Sequence, residues 1–238
     1  MKSEKKRFKY FQVLQQNELL KGLEDEVLLH FLNDLEEEVM PKYACSLGNL
    51  KTLHTFYFII SGRLKAYQIE ENNAREFTFF LLKKGDVFDI LCLLDGCEHP
   101  IYYESLDRVV LLAIPMNKMK NWIKEHPEIN KNLLPYLSKQ VRVLEEYASN
   151  VTLIPIATRL ARLILKHINS ESKELEFIND LSNEEIANLI GSTRAVVNRH
   201  LQQFKHDGII TIGRQKVGIK DLNLLLDKAR GQFLPPSH

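Results

Sequence analysis

Residues 186–204 read "IANLIGSTRAVVNRHLQQF", and two short apolar-periodic segments meet in this stretch at Ile190-Gly191. The first is opened by Leu181-Ser182-Asn183-Glu184-Glu185. Ser182 is placed to cap it, and both glutamates fall in the first turn, at the positive end of the helix dipole. Ile186, Ala187 and Ile190 share one face. Glycine ends that helix, and Ser192 or Thr193 can cap the next. The second helix repeats its apolar residues at Val197, Leu201 and Phe204. Two short helices joined by a glycine-containing turn form a helix-turn-helix.

The second helix carries Arg194, Ala195, Asn198 and Arg199 together, away from the apolar stripe and at its amino-terminal end. A recognition helix enters the major groove with that end leading, so groups that meet base edges belong there. The capping hydroxyls of Ser182, Ser192 and Thr193, with the free N–H groups beside them, suit phosphate oxygens. Downstream, "GIITIGRQKVGIK" (208–220) reads as two short strands around a basic turn containing Arg214 and Lys216, a wing. From Ile190 to Lys220 there are six Lys/Arg against one acid, Asp207. That local excess matters because the 238-residue chain has a formal net charge of only +1. No global field draws it to a polyanion, so any nucleic-acid site must be a local patch. The motif, its caps and the wing together predict binding to double-stranded DNA.

The rest of the composition narrows the setting. Hydrophobic residues make up 45% and charged residues 26%, which is globular, and the length accommodates two domains. Cys45, Cys92 and Cys97 are an odd and sparse set. They exclude a disulfide framework and fit a reducing cytoplasm. The basic start "MKSEKKRFKYF" is followed by "QVLQQNELLKG", which lacks the apolar core of a signal peptide. The runs "FYFII" and "VVLLAI" fall far short of the ~18 apolar residues of a membrane span. The expectation is a cytoplasmic protein with no membrane partner. The histidines form no His-x-His ligand pair and no nucleophile–base motif is present, so neither a metal site nor catalytic residues are expected.

Residues 8–35 read as helical. From about Val39 to Ile114 the β-rich runs "TFYFII", "RLKAYQI", "EFTFFLL" and "VVLLAI" alternate with turn signals, indicating an all-β roll or barrel. Ser61-Gly62 reads as a tight connection between two of them. Met116–Glu125 follows as a short helix, punctuated by His126-Pro127. A long helix then runs from Glu128 to Val151. Its apolar residues Leu134, Leu137, Val141, Leu144, Ala148 and Val151 are spaced 3, 4, 3, 4, 3, a seam that predicts a homodimer through paired helices. The expected fold class is α+β in three parts: a β-roll sensor or effector domain (1–115), a short helix and dimerisation helix (116–152), and a winged helix-turn-helix (153–238).

Three stretches, "FYFIISGRLKAY" (56–67), "LLKKGDVFDI" (81–90) and "LSNEEIANLIGSTRAVVNRHLQQFKHDGIITI" (181–212), resemble the Crp/Fnr superfamily of transcription regulators. The resemblance covers nearly the whole chain in order. It implies a cyclic-nucleotide-binding-like jelly roll, an inverted-repeat operator, and RNA polymerase as a further partner. In that family the recognition helix often reads Ser-Arg-Glu-x-x-x-Arg. Here Thr193-Arg194-Ala195 leads to Arg199. Both arginines suit bidentate contact to guanine or phosphate, whereas Ala195 cannot accept from cytosine N4 but can touch a thymine methyl.

The sensor departs further from the family. Cyclic-nucleotide members hold the phosphate with two Gly-Glu pairs and an Arg-Ser. Here Gly85-Asp86 matches the first pair, Asp89-Ile90 stands at the second, and "EHPIYY" (98–103) stands near the Arg-Ser. A cyclic phosphate lacks its charge partner, so cAMP is not expected as effector. The amino-terminal cysteine cluster of the iron–sulfur members is absent from the sequence. Residues 74–97 look like the CO-sensing haem members, but their Cys-x-His pair would fall on Asp89 and Leu91, and Lys2 replaces their ligand proline. Haem would have to draw on Cys92, Cys97 or His99. The plainer reading of these three is a core thiol, a turn thiol and a loop histidine. Asp89, Cys92, Cys97 and His99 are therefore the candidate effector residues, with a haem or thiol-based sensor and an effector-independent DNA binder as alternatives.

Overall fold

The computed structural model describes residues 2–45, 49–70, 72, 75–169, 175–213 and 216–231. The chain forms two compact units, Met1–Arg142 and Val143–His238. The first begins with α1 (Lys2–Gln15), α2 (Asp25–Asn33) and β1 (Glu36–Met40), followed by α3 (Asn49–His54), β2 (Thr55–Ser61), β3 (Leu64–Glu70), β4 (Arg75–Leu82) and β5 (Val87–Phe88). Next come α4 (Ile90–Asp95), β6 (Tyr102–Ser105), β7 (Val109–Pro115), α5 (Met116–Glu125) and α6 (Pro127–Leu153), whose second half belongs to the other unit. The helical reading of 8–35 thus divides into two helices with a turn between them. Two short helices, α3 and α4, also interrupt the β-rich region.

The strands form two antiparallel sheets in the orders β1-β7-β2-β5 and β4-β3-β6. The run "TFYFII" is apolar throughout because β2 is covered on both faces. Tyr57 and Ile59 point into the roll with Leu64, Ala66, Phe88, Tyr103 and Leu111. Phe56, Phe58 and Ile60 point the other way, into a core shared with α1, α2, α5 and the first turns of α6. Alternate side chains of a strand face opposite sides, so two cores remove the polar residues expected on an exposed face. "VVLLAI" behaves identically in β7: Val109, Leu111 and Ala113 face inward, and Val110, Leu112 and Ile114 face the helices.

β2 and β3 lie in different sheets, so the Ser61-Gly62 connection carries the chain across the roll. Gly62 sits at φ +90°, and a Cβ there would lie 2.7 Å from the Arg108 carbonyl oxygen and 2.8 Å from Val109 Cα. Only glycine fits. Next to it, the Asp107 carboxylate accepts from the Arg63 backbone N–H at 2.8 Å and from Arg63 Nε at 2.7 Å, fixing the corner.

The turn between α1 and α2 is held from two sides. Asn17 is buried, and its Nδ2 donates to the Gly85 carbonyl at 2.8 Å while its Oδ1 accepts from the Leu19 N–H at 2.9 Å. From α6, Asn132 Nδ2 donates to the Leu19 and Lys21 carbonyls at 3.0 and 2.6 Å. Ile129, Leu133 and Tyr136 bury the adjoining face of α6 in the same core.

The second unit comprises the end of α6, then α7 (Ile156–Lys166), α8 (Asn183–Ile190), α9 (Arg194–His206), β8 (Ile210–Gly213), β9 (Lys216–Ile219) and α10 (Leu222–Arg230). β8 and β9 pair antiparallel, and α10 packs along α7. Leu160, Ile164, Ile186, Ile190, Val197, Leu201, Phe204 and Leu225 are buried in this unit.

Asn17→Ala removes two hydrogen bonds made by a buried side chain and takes these partners from the Gly85 carbonyl and the Leu19 N–H. It should lower unfolding stability by roughly 1–3 kcal/mol, read from urea denaturation. An exposed control on the same chain, Asn33→Ala, should lie within about 0.5 kcal/mol of the parent.

Candidate nucleic-acid interface

The helix-turn-helix is built by local chemistry at each of its ends. Ser182 Oγ accepts from the Glu185 N–H at 3.2 Å, and Glu185 Oε2 accepts from the Ser182 N–H at 2.6 Å, a reciprocal capping box. The S-x-x-E pattern in the sequence carried this signal. α8 ends at Gly191, in the left-handed conformation at φ +61°. Thr193 then caps α9, its hydroxyl accepting from the Val196 N–H at 3.5 Å. Ser192 differs: its hydroxyl is buried and, among the described residues, has no hydrogen-bond partner. It faces the interior rather than the polar front.

α9 divides as its periodicity predicts. Val197, Leu201 and Phe204 are buried, whereas Thr193, Arg194, Ala195, Asn198 and Arg199 are exposed. The front of α9 is thus a contiguous patch of two guanidinium groups, one amide and one methyl group. Asn183 Nδ2 donates to Asn198 Oδ1 at 3.3 Å, so the first helix orients this amide. No sequence pattern announces that contact. His200 flanks the patch, and burial, then Arg199, hold its pKa below the ordinary value. It is neutral at pH 7 and adds no charge. Lys205 and Lys220 are exposed. In the wing, the Val217 N–H donates to Asn179 Oδ1 at 3.0 Å, tying β9 to the segment before α8. Lys216 opens β9, and Arg214 lies outside the described residues.

Along α6 the seam residues follow a stripe next to that of Ile129, Leu133 and Tyr136. Leu134 is 73% exposed, Val141 53% and Leu144 40%. Ala148 is also exposed, and Leu137 and Val151 are half-buried. Three large apolar side chains spaced by seven and three residues thus lie open on one helix.

In the roll, Asp89 is buried and its Oδ1 lies 2.9 Å from His99 Nδ1. Cys92 is buried on α4, and its thiol donates to the Cys97 carbonyl oxygen at 3.0 Å. Burial, then the charge of Asp89, push the Cys92 thiol up to about 12. Cys97 is exposed. These residues do come together, and aromatic rings lie in the roll interior. Tyr57 stacks on Phe88 at 5.0 Å between ring centroids, and Tyr103 is tilted against Phe88 at 4.6 Å. Among the described residues no group of three or more His, Cys, Asp or Glu could hold a metal ion. Nor is any described helix long and apolar enough to cross a membrane.

Comparison with known proteins bears on both units. Residues 158–228 match the Crp-like helix-turn-helix domain, and residues 51–126 match the cyclic nucleotide-binding domain. A CRP-like cAMP-activated global transcriptional regulator of Mycobacterium tuberculosis is 24% identical over 223 residues, covering 92% of this chain and 99% of that one. A global nitrogen regulator of Synechocystis is 25% identical over 209 residues, covering 82% and 92%. Among solved structures, a CooA variant from Carboxydothermus hydrogenoformans shares the fold with a TM-score of 0.69 at 24% identity, covering 84% of this chain and 90% of that one. The two domains occur in the family's order, and the helix-turn-helix has its front face open. The chain belongs to the Crp/Fnr superfamily of DNA-binding transcription regulators.

Proposed function

We propose that two copies of the chain pair through the α6 seam and present their α9 helices to successive major grooves of an inverted-repeat operator. One observation carries this reading: all four polar-front residues of α9 are exposed while its three apolar residues are buried. Arg194 and Arg199 suit guanine O6 and N7 or a phosphate, Asn198 an adenine edge, and Ala195 a thymine methyl. Thr193, the α8 cap Ser182 and the wing residues Arg214 and Lys216 would meet phosphate. Half-sites one helical turn apart, ~34–36 Å, follow from the dyad. The functional division is then a sensor over 1–115, a dimerisation region over 116–152 and a DNA-binding domain over 153–238. RNA polymerase is the expected further partner of such a regulator.

The Mycobacterium relative is described as cAMP-activated, but this chain has no lysine or arginine in residues 98–103, where the family's phosphate-binding arginine would fall. We infer an effector other than cAMP. A haem or thiol-based sensor is the alternative: haem would be held by Cys92, Cys97 or His99, with Asp89 on Nδ1 of His99. The Tyr57–Phe88 stack, with Tyr103 tilted against Phe88 inside the roll, favours a second reading, in which the roll supports DNA binding with no effector.

Three measurements test these readings. In electrophoretic titrations, Arg199→Ala should cost roughly 1–3 kcal/mol per half-site and relax preference at one symmetric base pair. Lys216→Ala should weaken all sequences alike and lower the salt slope by about one. Replacing Leu137 and Leu144 together with glutamate should give monomers by light scattering and abolish operator binding, and a double variant that remains dimeric would remove the seam. Millimolar cAMP should leave the melting temperature unchanged. A ligand at ~100 times its Kd would add about 2.7 kcal/mol, a shift that calorimetry would register.

A further inference from the structure

The turn between α8 and α9 has neighbours that the two helices themselves do not supply. A helix leaves its last carbonyls without donors inside the helix. At the end of α8, Arg159 of α7 meets this need: its Nη1 donates to the Ile190 carbonyl at 2.5 Å and to the Gly191 carbonyl at 3.4 Å. The turn is also crowded by the last turns of α6. A Cβ on Gly191 would lie 3.0 Å from Tyr147 Oη, 3.2 Å from Val151 Cγ2 and 3.5 Å from Arg159 Nη1. One turn further along α7, Arg162 Nη1 donates to Asn150 Oδ1 at 2.7 Å and its Nε to the Ala229 carbonyl at 2.9 Å. All these residues belong to the unit Val143–His238. Two arginines of one helix therefore tie the end of α6, the turn and the end of α10 together.

We propose that Arg159 is a positioning residue for base reading. It fixes the angle at which α9 leaves the Gly191 turn, and it does so without touching DNA. α9 starts three residues after Gly191, so a rotation at the turn swings Arg194 and Arg199 across the groove floor. Base contacts are short and directional, and a small swing removes them. Phosphate contacts are mainly electrostatic and survive it. One nitrogen of the guanidinium, Nη1, reaches both carbonyls, and the rigid plane of the group fixes its direction, whereas a lysine ammonium on its flexible stem holds no fixed plane.

The inference rests on α9 being the base-reading helix, and the experiment separates the two. Arg159→Lys, Arg199→Ala and the parent are titrated with operator and with random-sequence DNA at several salt concentrations, and their melting curves are recorded. Arg159→Lys should fold and keep its affinity for random DNA and its salt slope. Its operator preference should fall about tenfold or more, the loss of one base contact per half-site. Arg159→Gln, which removes the cation, is titrated alongside, and a salt slope lower by about one in that variant would make Arg159 a phosphate contact and overturn the proposal. An unchanged operator preference in the folded variant would overturn it as well. If Arg199→Ala lowers operator preference while Arg159→Lys does not, the positioning role alone fails. If neither lowers it, the assignment of α9 fails too. Should Arg159→Lys not fold, Arg159→Gln is read in the same way, and loss of fold in both would show that the residue serves stability instead.

Discussion

The left-handed turn at Gly191 is the constraint on which the DNA-facing half depends. α8 must stop, and α9 must start, where Tyr147, Val151 and Arg159 already occupy the space beside the backbone. An L side chain at φ +61° would be strained by its own backbone and would also press on Tyr147 and Val151. The turn therefore stays short, and the helix that follows emerges with its first residues free. Ser192 turns its hydroxyl inward, which leaves capping to Thr193. The exposed patch begins directly after it.

A division of labour within α9 follows. Val197, Leu201 and Phe204 anchor the helix, and burial of each contributes roughly 1.5–3 kcal/mol. The front residues need contribute nothing to folding. Arg194, Ala195, Asn198 and Arg199 can therefore be chosen for the ligand alone, which explains how Ala195 can replace a family glutamate without penalty to the domain. Surface substitutions of this kind are usually within about 0.5 kcal/mol.

The sensor half is governed by double coverage. With β2 and β7 buried on both faces, the roll has one core inside and another against the helices. The inner core is aromatic, and the carboxylate of Asp89 lies next to it with His99 as partner. Desolvating a carboxylate is costly unless it is paired. The Asp89–His99 contact therefore has a structural purpose whatever else it does. Cys92 is explained the same way, as a small buried thiol with a backbone acceptor. On α6, Leu134, Val141 and Leu144 are exposed among the described residues, and their spacing is that of a helix-pairing seam.

Local periodicity and capping chemistry are encoded within a few residues of one another, and there the sequence by itself sufficed. Ser182, Gly191 and Thr193 marked the ends of α8 and α9. Val197, Leu201 and Phe204 marked the inner stripe, and His126-Pro127 marked the end of α5. The alternation in the two completely apolar strands was invisible because both faces are buried. Nothing near Ser61-Gly62 says that the next strand joins a different sheet, since that depends on β6 and β7 some forty residues away. The break between α1 and α2, stabilised by Asn17 and Asn132, is likewise decided by the Gly85 turn and α6. Tertiary structure alone turned the Ser192 hydroxyl inward, joined Asn183 to Asn198, and brought Arg159 to the carbonyls of Ile190 and Gly191. Each of these contacts joins polar groups from separate elements, and only the packing of those elements determines which donors reach which acceptors.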